Sequence, residues 1–371
     1  MIYADNAATT KLDIAAYEAM QPFLLEQYSN ASQPYSFARN AKKSLKQARE
    51  TIAACINAEP EEIFFTAGGT ESDNWAIKGM MYDLYDKKMF LTSQIEHHAI
   101  LHTTDAVEQM GFQVQLLPVT EKGIISSEIL KRHISDAVKL VSIMFANNEI
   151  GTIQPIKELA KIAHEKGAYF HTDAVQAVGH VPIDVKELGI DLLSASAHKF
   201  NGPKGIGFLW VKKGTPLKSY MDGGAQERGM RAGTENVASI VGMAIALKNN
   251  CNALNENIFH LRKLEKILLE ELKRRHIDFI CNGAEDRIPG NMSLSFKGTQ
   301  GEMLLHRLDL QGICVSTGSA CDSQNTQISH VLKAIKLCED YALGTIRISL
   351  GKDNSEDDIY QIVNAIEDIL K

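Results

Sequence analysis

The sequence predicts an α/β protein: a large domain built on a mostly parallel sheet, with a second, smaller α+β domain. Three observations carry that expectation. Apolar strand-like runs alternate with helical stretches between about residues 60 and 211, the pattern of a parallel sheet whose crossovers are helices. The chain has 371 residues, more than one compact core usually holds, so two units are expected: 10–255, and a smaller one made of 1–9 with 256–371. Small polar and glycine-rich stretches recur just beyond the strands, where sheets of this kind bind ligands.

In chain order, Ile2-Tyr3-Ala4 is a short strand that enters a polar loop, Asp5 to Thr10. Residues 12–26 and 37–56 carry the helical period. Residues 62–66 form a strand ending in Ala67-Gly68-Gly69-Thr70-Glu71-Ser72, with a helix expected over 73–85. Strand, glycine turn and helix make an anion site, because the first amides of a helix are unpaired and its dipole is positive there. Thr70 could equally be a plain N-cap, and the glycine pair beside it favours phosphate. The stretch is neither a Walker A loop nor a dinucleotide fingerprint.

Residues 89–92 form the next strand, followed by His97, His98 and His102. His98 and His102, four apart, share a helical face, which admits a metal, but no third ligand is evident. The other reading places one imidazole against a flat ligand. Residues 112–118 and 139–145 are strands, and the second runs into Ala146-Asn147-Asn148-Glu149-Ile150-Gly151, a ligand-facing cluster or a structural turn. After a helix at 155–166, the strand beginning at Ala168 ends in Asp173, a partner for a protonated ring nitrogen or a cap.

The strand at 190–195 delivers Lys199 into His198-Lys199-Phe200-Asn201-Gly202-Pro203-Lys204-Gly205, and a further strand follows at 206–211. A lysine shielded from water loses pKa, and its neutral amine forms Schiff bases; most lysines are merely solvated. Thr70, His97, Asn148, Asp173 and Lys199 all follow strands, and that shared placement points to one cleft.

The loop 222–234 holds Arg228, Arg231 and Thr234 and reads as a second anion contact or as a domain junction. A long helical stretch, 237–275, leads to strands at 277–280, 291–296, 313–316 and 345–350 and to helices at 300–310, 326–335 and 355–370. Arg347, within an alternating strand, suits a carboxylate clamp or a sheet-face ion pair. Cys321 lies in a small polar loop, about 316–328, where a cysteine is a candidate nucleophile; the other five cysteines suit core positions. The acid next to it, Asp322, would raise the pKa of its thiol, if it shifts it at all.

The totals exclude several classes. Apolar residues make up 44% and charged residues 23%, an ordinary globular composition. A net charge of −7 argues against nucleic acid. No apolar run reaches the ~18 residues of a membrane span. Met1 to Asp5 lacks the basic and apolar regions of a secretory signal, so a cytoplasmic location is expected. The cysteine spacing suits neither zinc nor a disulfide framework.

Taken together, Ala67-Gly-Gly-Thr-Glu-Ser-Asp-Asn, Glu96-His97, Asn147-Asn-Glu-Ile-Gly, Asp173-Ala-Val-Gln, Ser196-Ala-His-Lys-Phe-Asn-Gly-Pro-Lys-Gly and Gly318-Ser-Ala-Cys resemble the pyridoxal-phosphate cysteine desulfurases of the iron–sulfur-cluster and nitrogen-fixation type. These belong to the class V aminotransferases, of the aspartate-aminotransferase-like fold type I. The motifs keep family order and span nearly the whole chain.

The resemblance implies that Lys199 holds pyridoxal 5'-phosphate as a Schiff base. Gly69, Thr70, Ser196 and His198 would bind the phosphate, with Thr234 reaching across from a homodimer partner. Asp173 would pair with the ring nitrogen, Gln176 would contact the ring hydroxyl, and His97 would stack on the ring and exchange a proton with the substrate thiol. Asn148 and Arg347 would hold the carboxylate of L-cysteine. Cys321 would take the sulfur as a persulfide, leaving alanine, and pass it to an acceptor protein, a scaffold or a thiolation enzyme. An iron–sulfur cluster seated at Cys321 on a scaffold partner is a further implication. The interval from Cys321 to Val331-Leu332 suits the long-loop group, which favours cysteine over selenocysteine. The chain departs from the family in Asp322, where a small hydroxyl residue is more usual, and in stopping at Lys371, where some relatives carry a scaffold-docking tail. Two rivals stand beside this reading. An aminotransferase or selenocysteine lyase would share the cofactor, although transamination needs no thiol. A non-enzymatic sulfur-relay module would keep the fold, but it has no use for Lys199 and a phosphate cup.

Overall fold

The computed structural model describes residues 1–82, 87–318 and 328–371. The strands in chain order are β1 (Ile2–Tyr3), β2 (Ile63–Thr66), β3 (Met89–Ser93), β4 (Gln113–Leu117), β5 (Val138–Ser142), β6 (Tyr169–Asp173), β7 (Leu192–Ser196), β8 (Gly207–Val211), β9 (Phe279–Asn282), β10 (Asn291–Phe296), β11 (Ile313–Cys314) and β12 (Thr345–Ser349). Seven of them form one sheet in the order β2-β8-β7-β6-β5-β3-β4. β8 runs antiparallel to both of its neighbours, and the other contacts in the sheet are parallel.

The parallel expectation therefore holds except at β8. That strand returns directly from the lysine turn with no helical crossover, and a short connection permits only an antiparallel neighbour. The central strands are buried on both faces, as the continuous apolar runs Phe90-Leu91 and Leu192-Leu193 require.

The helix expected over 73–85 begins at Gly69 and ends at Met80. The glycine pair starts the helix rather than preceding it, because Gly68, at φ 152°, makes the turn out of β2. The strand expected to reach residue 145 stops at Ser142. The stretch 237–275 is two helices, Val237–Asn252 and Leu254–Arg274, which part at Ala253. Asn250, near that break, donates from Nδ2 to Phe200 O at 2.8 Å and ties the helix to the lysine turn.

A second apolar core, with Leu264, Leu268, Phe296, Leu304, Ile346 and Ile362, lies under the antiparallel sheet β12-β10-β9. The N-terminal segment belongs to it: β1 pairs in parallel with β11, Ile2 opposite Ile313. The segment then follows β12, where Ser349 donates its amide to Ala4 O at 2.8 Å. Residues 5–9 thus leave the smaller core and pass over the carboxyl ends of the large sheet.

Candidate active site

A cavity of about 670 Å³ opens at the carboxyl ends of β2, β3, β5, β6 and β7. Its walls include Gly69, Thr70, His97, Asn148, Asp173, Gln176, Ser196, His198, Lys199 and Arg347. Every one of these was singled out from the sequence. Thr234 lines a separate cavity of about 150 Å³, which shares Ala67 and Gly205 with the first. Cys321, Asp322 and most of the 316–328 loop lie outside the described residues.

Lys199 closes a 3-10 turn, Ala197–Lys199, immediately after β7. Its Nζ donates to Ala7 O at 2.6 Å and to Ala8 O at 2.8 Å. The amine is therefore held by the N-terminal segment, and Gln176 Nε2 donates to the same Ala7 carbonyl at 3.0 Å. These backbone acceptors carry no side-chain signal, so the sequence could not disclose them.

The anion cup is the start of the helix Gly69–Met80. Thr70 lies inside the first turn, so Gly68 rather than Thr70 stands at the N-cap. A Cβ on Gly69 would come within 2.6 Å of Val175 Cγ2, so only glycine lets the helix start sit this close to the turn after β6. Glu71 also faces the cavity, a poor neighbour for an anion. Its charge is taken by Arg231, whose Nε and Nη2 donate at 2.7 and 3.0 Å. Arg228 donates Nη2 to Ile63 O at 2.9 Å and lies 4.0 Å over the Phe64 ring. The two arginines read as a second anion contact are thus loop anchors. Lys204, which carried no separate expectation, supplies a cation at the cup.

His97 caps the helix His98–Gln109, its Nδ1 accepting the Ala99 amide at 3.1 Å. The ring proton therefore belongs on Nε2. Burial, followed by the charge of Lys199, pushes its pKa down to about 4. His198, at 3.2 Å from Thr9 Oγ1 through Nδ1, is pushed down to about 4 for the same two reasons. His98 and His102 stack with centroids 4.9 Å apart, and His330 stands 5.1 Å from His98. No trio of metal-ligating groups occurs among the described residues.

Asp173 ends β6, and its Oδ1 accepts the Val175 amide at 2.9 Å, so it caps the turn while lining the cavity. Burial raises its pKa to about 6. In the Asn-Asn-Glu cluster the roles divide. Asn147 builds the turn, its Oδ1 accepting the amides of Glu149 and Ile150, each at 2.9 Å, while Asn148 faces the cavity. Arg347, almost fully buried on β12, donates Nη2 to Asp5 at 2.7 Å and Nη1 to Asn148 O at 2.9 Å. Its Nε is buried without an acceptor, and the residue lines the cavity wall. Glu96, fully buried beneath His97, accepts Ser93 Oγ at 2.6 Å and the Met144 amide, and burial pushes it up to about 8.

These groups fit a phosphorylated aromatic aldehyde. A helix start, hydroxyls and a lysine stand at one end, an amine at the wall, a carboxyl on the floor, and a neutral imidazole above.

The class-V aminotransferase family matches residues 2–362. A cysteine desulfurase IscS of Clostridium botulinum is 48% identical, with all of this chain and 94% of that relative covered. A cysteine desulfurase NifS of Azotobacter vinelandii is 39% identical, with 100% of this chain and 92% of the relative covered. Among solved structures, a NifS-like protein superimposes with a TM-score of 0.94 at 37% identity, covering 100% of this chain and 99% of that one. A structure described as SspA in complex with cysteine gives 0.84 at 35%, covering 95% and 99%.

Proposed function

The chain belongs to the class-V aminotransferase family as a pyridoxal-phosphate-dependent cysteine desulfurase, and from that premise we propose which of its residues do the work. The observation that carries the assignment is the amine of Lys199, held between Ala7 and Ala8 in the cavity that also contains Asp173 and the Gly69 helix start. Lys199 would hold the cofactor aldehyde and move the proton of the substrate α carbon. Gly69, Thr70, Ser196 and His198 would hold the phosphate, Asp173 as a carboxylate would face the ring nitrogen, and Gln176 would face the ring hydroxyl. Pyridoxal phosphate supplies the electron sink for charge left on the substrate carbon.

Asn148 and Arg347 hold the carboxylate of L-cysteine. His97 would cover the ring face; taking the proton of the substrate thiol at Nε2 requires the other tautomer, with the ring proton on Nδ1 and the Ala99 amide released from it. The thiolate of Cys321 forms an S–S bond to that sulfur as the C–S bond breaks. The electron pair stays with carbon, which is protonated to give alanine, and Cys321 keeps the sulfur as a persulfide. An acceptor protein, in iron–sulfur cluster assembly or thiolation, then takes it.

The working form we infer is a homodimer in which Thr234 of each subunit meets the other's phosphate. Two features support this. Thr234 and Thr70 are both exposed in the single chain. A run of large apolar side chains on and after the helix Ile14–Leu25, Leu25 at 84% and Tyr28 at 71% exposure among them, lies open. We propose the division into 10–255 and 1–9 with 256–371 on the ground that Ile2 and Ala4 share an apolar cluster with Leu264 and Ile346, although Ile288, Val331 and Leu332 pack against residues of the large unit. No described helix is long and apolar enough to cross a membrane.

The test is release of alanine and sulfide from L-cysteine under reductant by the wild type and by Cys321→Ala. Equal amounts from the wild type, lost in the variant, are expected. Alanine formed equally well without Cys321 would sink the persulfide role and favour a lyase.

A further inference from the structure

The helix Gly69–Met80 packs on β5, β6 and β7. This contact is largely apolar, with Trp75, Phe90, Leu140 and Leu192, but a column of polar side chains crosses it. Ser142 of β5 stands in register with His171 of β6, and Asp173 with Ser194 of β7. His171 is fully buried, its Nδ1 2.8 Å from Ser142 Oγ and its Nε2 2.9 Å from Ser194 Oγ. Asp73 enters the column from the helix, 1% exposed, at the wall of the cavity. Its Oδ1 lies 3.7 Å from His171 Nε2 and accepts no hydrogen bond.

An ionised carboxylate with an idle acceptor is among the costliest things a core can contain. The base facing it gives no relief. Both nitrogens of His171 are engaged by serines, and burial pushes its pKa down to about 3, so the ring is neutral. The other titratable groups that face Asp73 are the acids Asp173 and Glu96, and each disfavours a further negative charge. Lys199 lies beyond Asp173 and lowers the pKa of that carboxyl instead. Burial first, and Asp173 second, hold the Asp73 carboxyl well above its ordinary range, against the hydrogen bond of the Ser194 hydroxyl, which lowers it.

We propose that Asp73 is a positioning residue, held as a neutral carboxylic acid, that anchors the Ser194–His171–Ser142 column and leaves Asp173 as the single carboxylate facing the cofactor's ring nitrogen. The inference rests on the reading that Asp173 pairs with that nitrogen. A neutral acid donates a hydrogen bond where a carboxylate cannot, which explains why the column tolerates a carboxyl at all.

Four proteins test it: the wild type, Asp73→Asn, Asp73→Ala and Asp173→Asn. Each is followed by thermal unfolding with and without cofactor, and by the pH profile of turnover, from about pH 5 to about pH 9. Asn keeps the shape and the donor but cannot ionise. In the wild type the folded chain holds a proton that the unfolded chain gives up, so its stability falls as pH rises from the ordinary carboxylate range. Asp73→Asn is therefore expected to melt above the wild type at neutral pH, with the gain shrinking toward acid. It should also restore most of the turnover that Asp73→Ala loses, about tenfold or more, and lack the alkaline decline that follows Asp73 ionisation. If Asp73→Asn is as damaging as Asp73→Ala and melts no higher at any pH, the neutral-acid role is wrong. If Asp173→Asn is damaging while Asp73→Ala is silent, the ring pairing stands and the positioning role falls. If Asp173→Asn leaves cofactor affinity and turnover unchanged, the pairing fails and takes this proposal with it.

Discussion

The Nδ1 atom of His97 accepts the Ala99 amide, and the same ring lines the cavity wall. One side chain thus ends a loop, starts a helix and faces the chemistry. The two duties separate by substitution. His97→Asn keeps a helix cap, while His97→Ala loses one, at about 0.5–2 kcal/mol of stability. Both should lose turnover by about 10²–10⁴-fold, the usual worth of a positioned acid–base group. Melting temperature and kcat measured on the pair check this. If His97→Asn turns over normally, the ring acts only as a cap. Arg347 carries a similar double load, on Asp5 and on Asn148 O. Arg347→Lys keeps the charge but loses the planar fork, and the KM for L-cysteine should rise about tenfold or more with a smaller change in kcat.

At the scale of elements, the closeness of the Gly69 helix start to Val175 decides whether an anion fits. Gly69→Ala places a methyl against Val175 Cγ2, an overpacking of about 1–3 kcal/mol. Cofactor affinity, read by absorbance titration, should fall about tenfold or more, while the circular dichroism of the chain stays the same. The strand ends were legible in the sequence because each apolar run stops at a residue with a polar group to offer: Thr66, Asp173, Ser196. The groups behind the sheet were not. His171 sits inside an apolar run and Asp73 inside the polar stretch Thr70-Glu71-Ser72-Asp73-Asn74, and nothing local tells which polar residue meets a partner from another element. Arg228 and Arg231 misled for the same reason, since their partners Ile63 O and Glu71 lie about 160 residues away in the chain. The break at Ala253 left no trace in the helical period, because alanine is the best helix former.

For the molecule as a whole, burial sets two families of titrating groups against each other. His97, His171, His180 and His198 have lowered pKa values, so their folded forms resist the proton and stability is lost as pH falls below about 6.5. Glu96, raised to about 8, and Asp173, raised to about 6, act oppositely, and their contribution declines as pH rises through those values. The melting temperature of cofactor-free protein should therefore peak near neutrality and fall on both sides. A curve rising steadily toward pH 9 would contradict the buried Glu96. The open apolar run at Leu25 and Tyr28 belongs at this scale too. If the proposed homodimer forms through this run, Leu25→Glu should shift sedimentation from dimer toward monomer and weaken cofactor retention, and a variant that sediments as the wild type does would remove the run from the interface.

The path of the first nine residues has a consequence in time. Ile2 waits for Ile313, and Asp5 for Arg347, before the carbonyls of Ala7 and Ala8 are fixed over Lys199. A ribosome making about 5–20 residues per second needs roughly 8–30 s to travel from Lys199 to the end of β12. Throughout that interval the reactive amine is on the nascent chain without its cradle, open to any stray aldehyde in the cell.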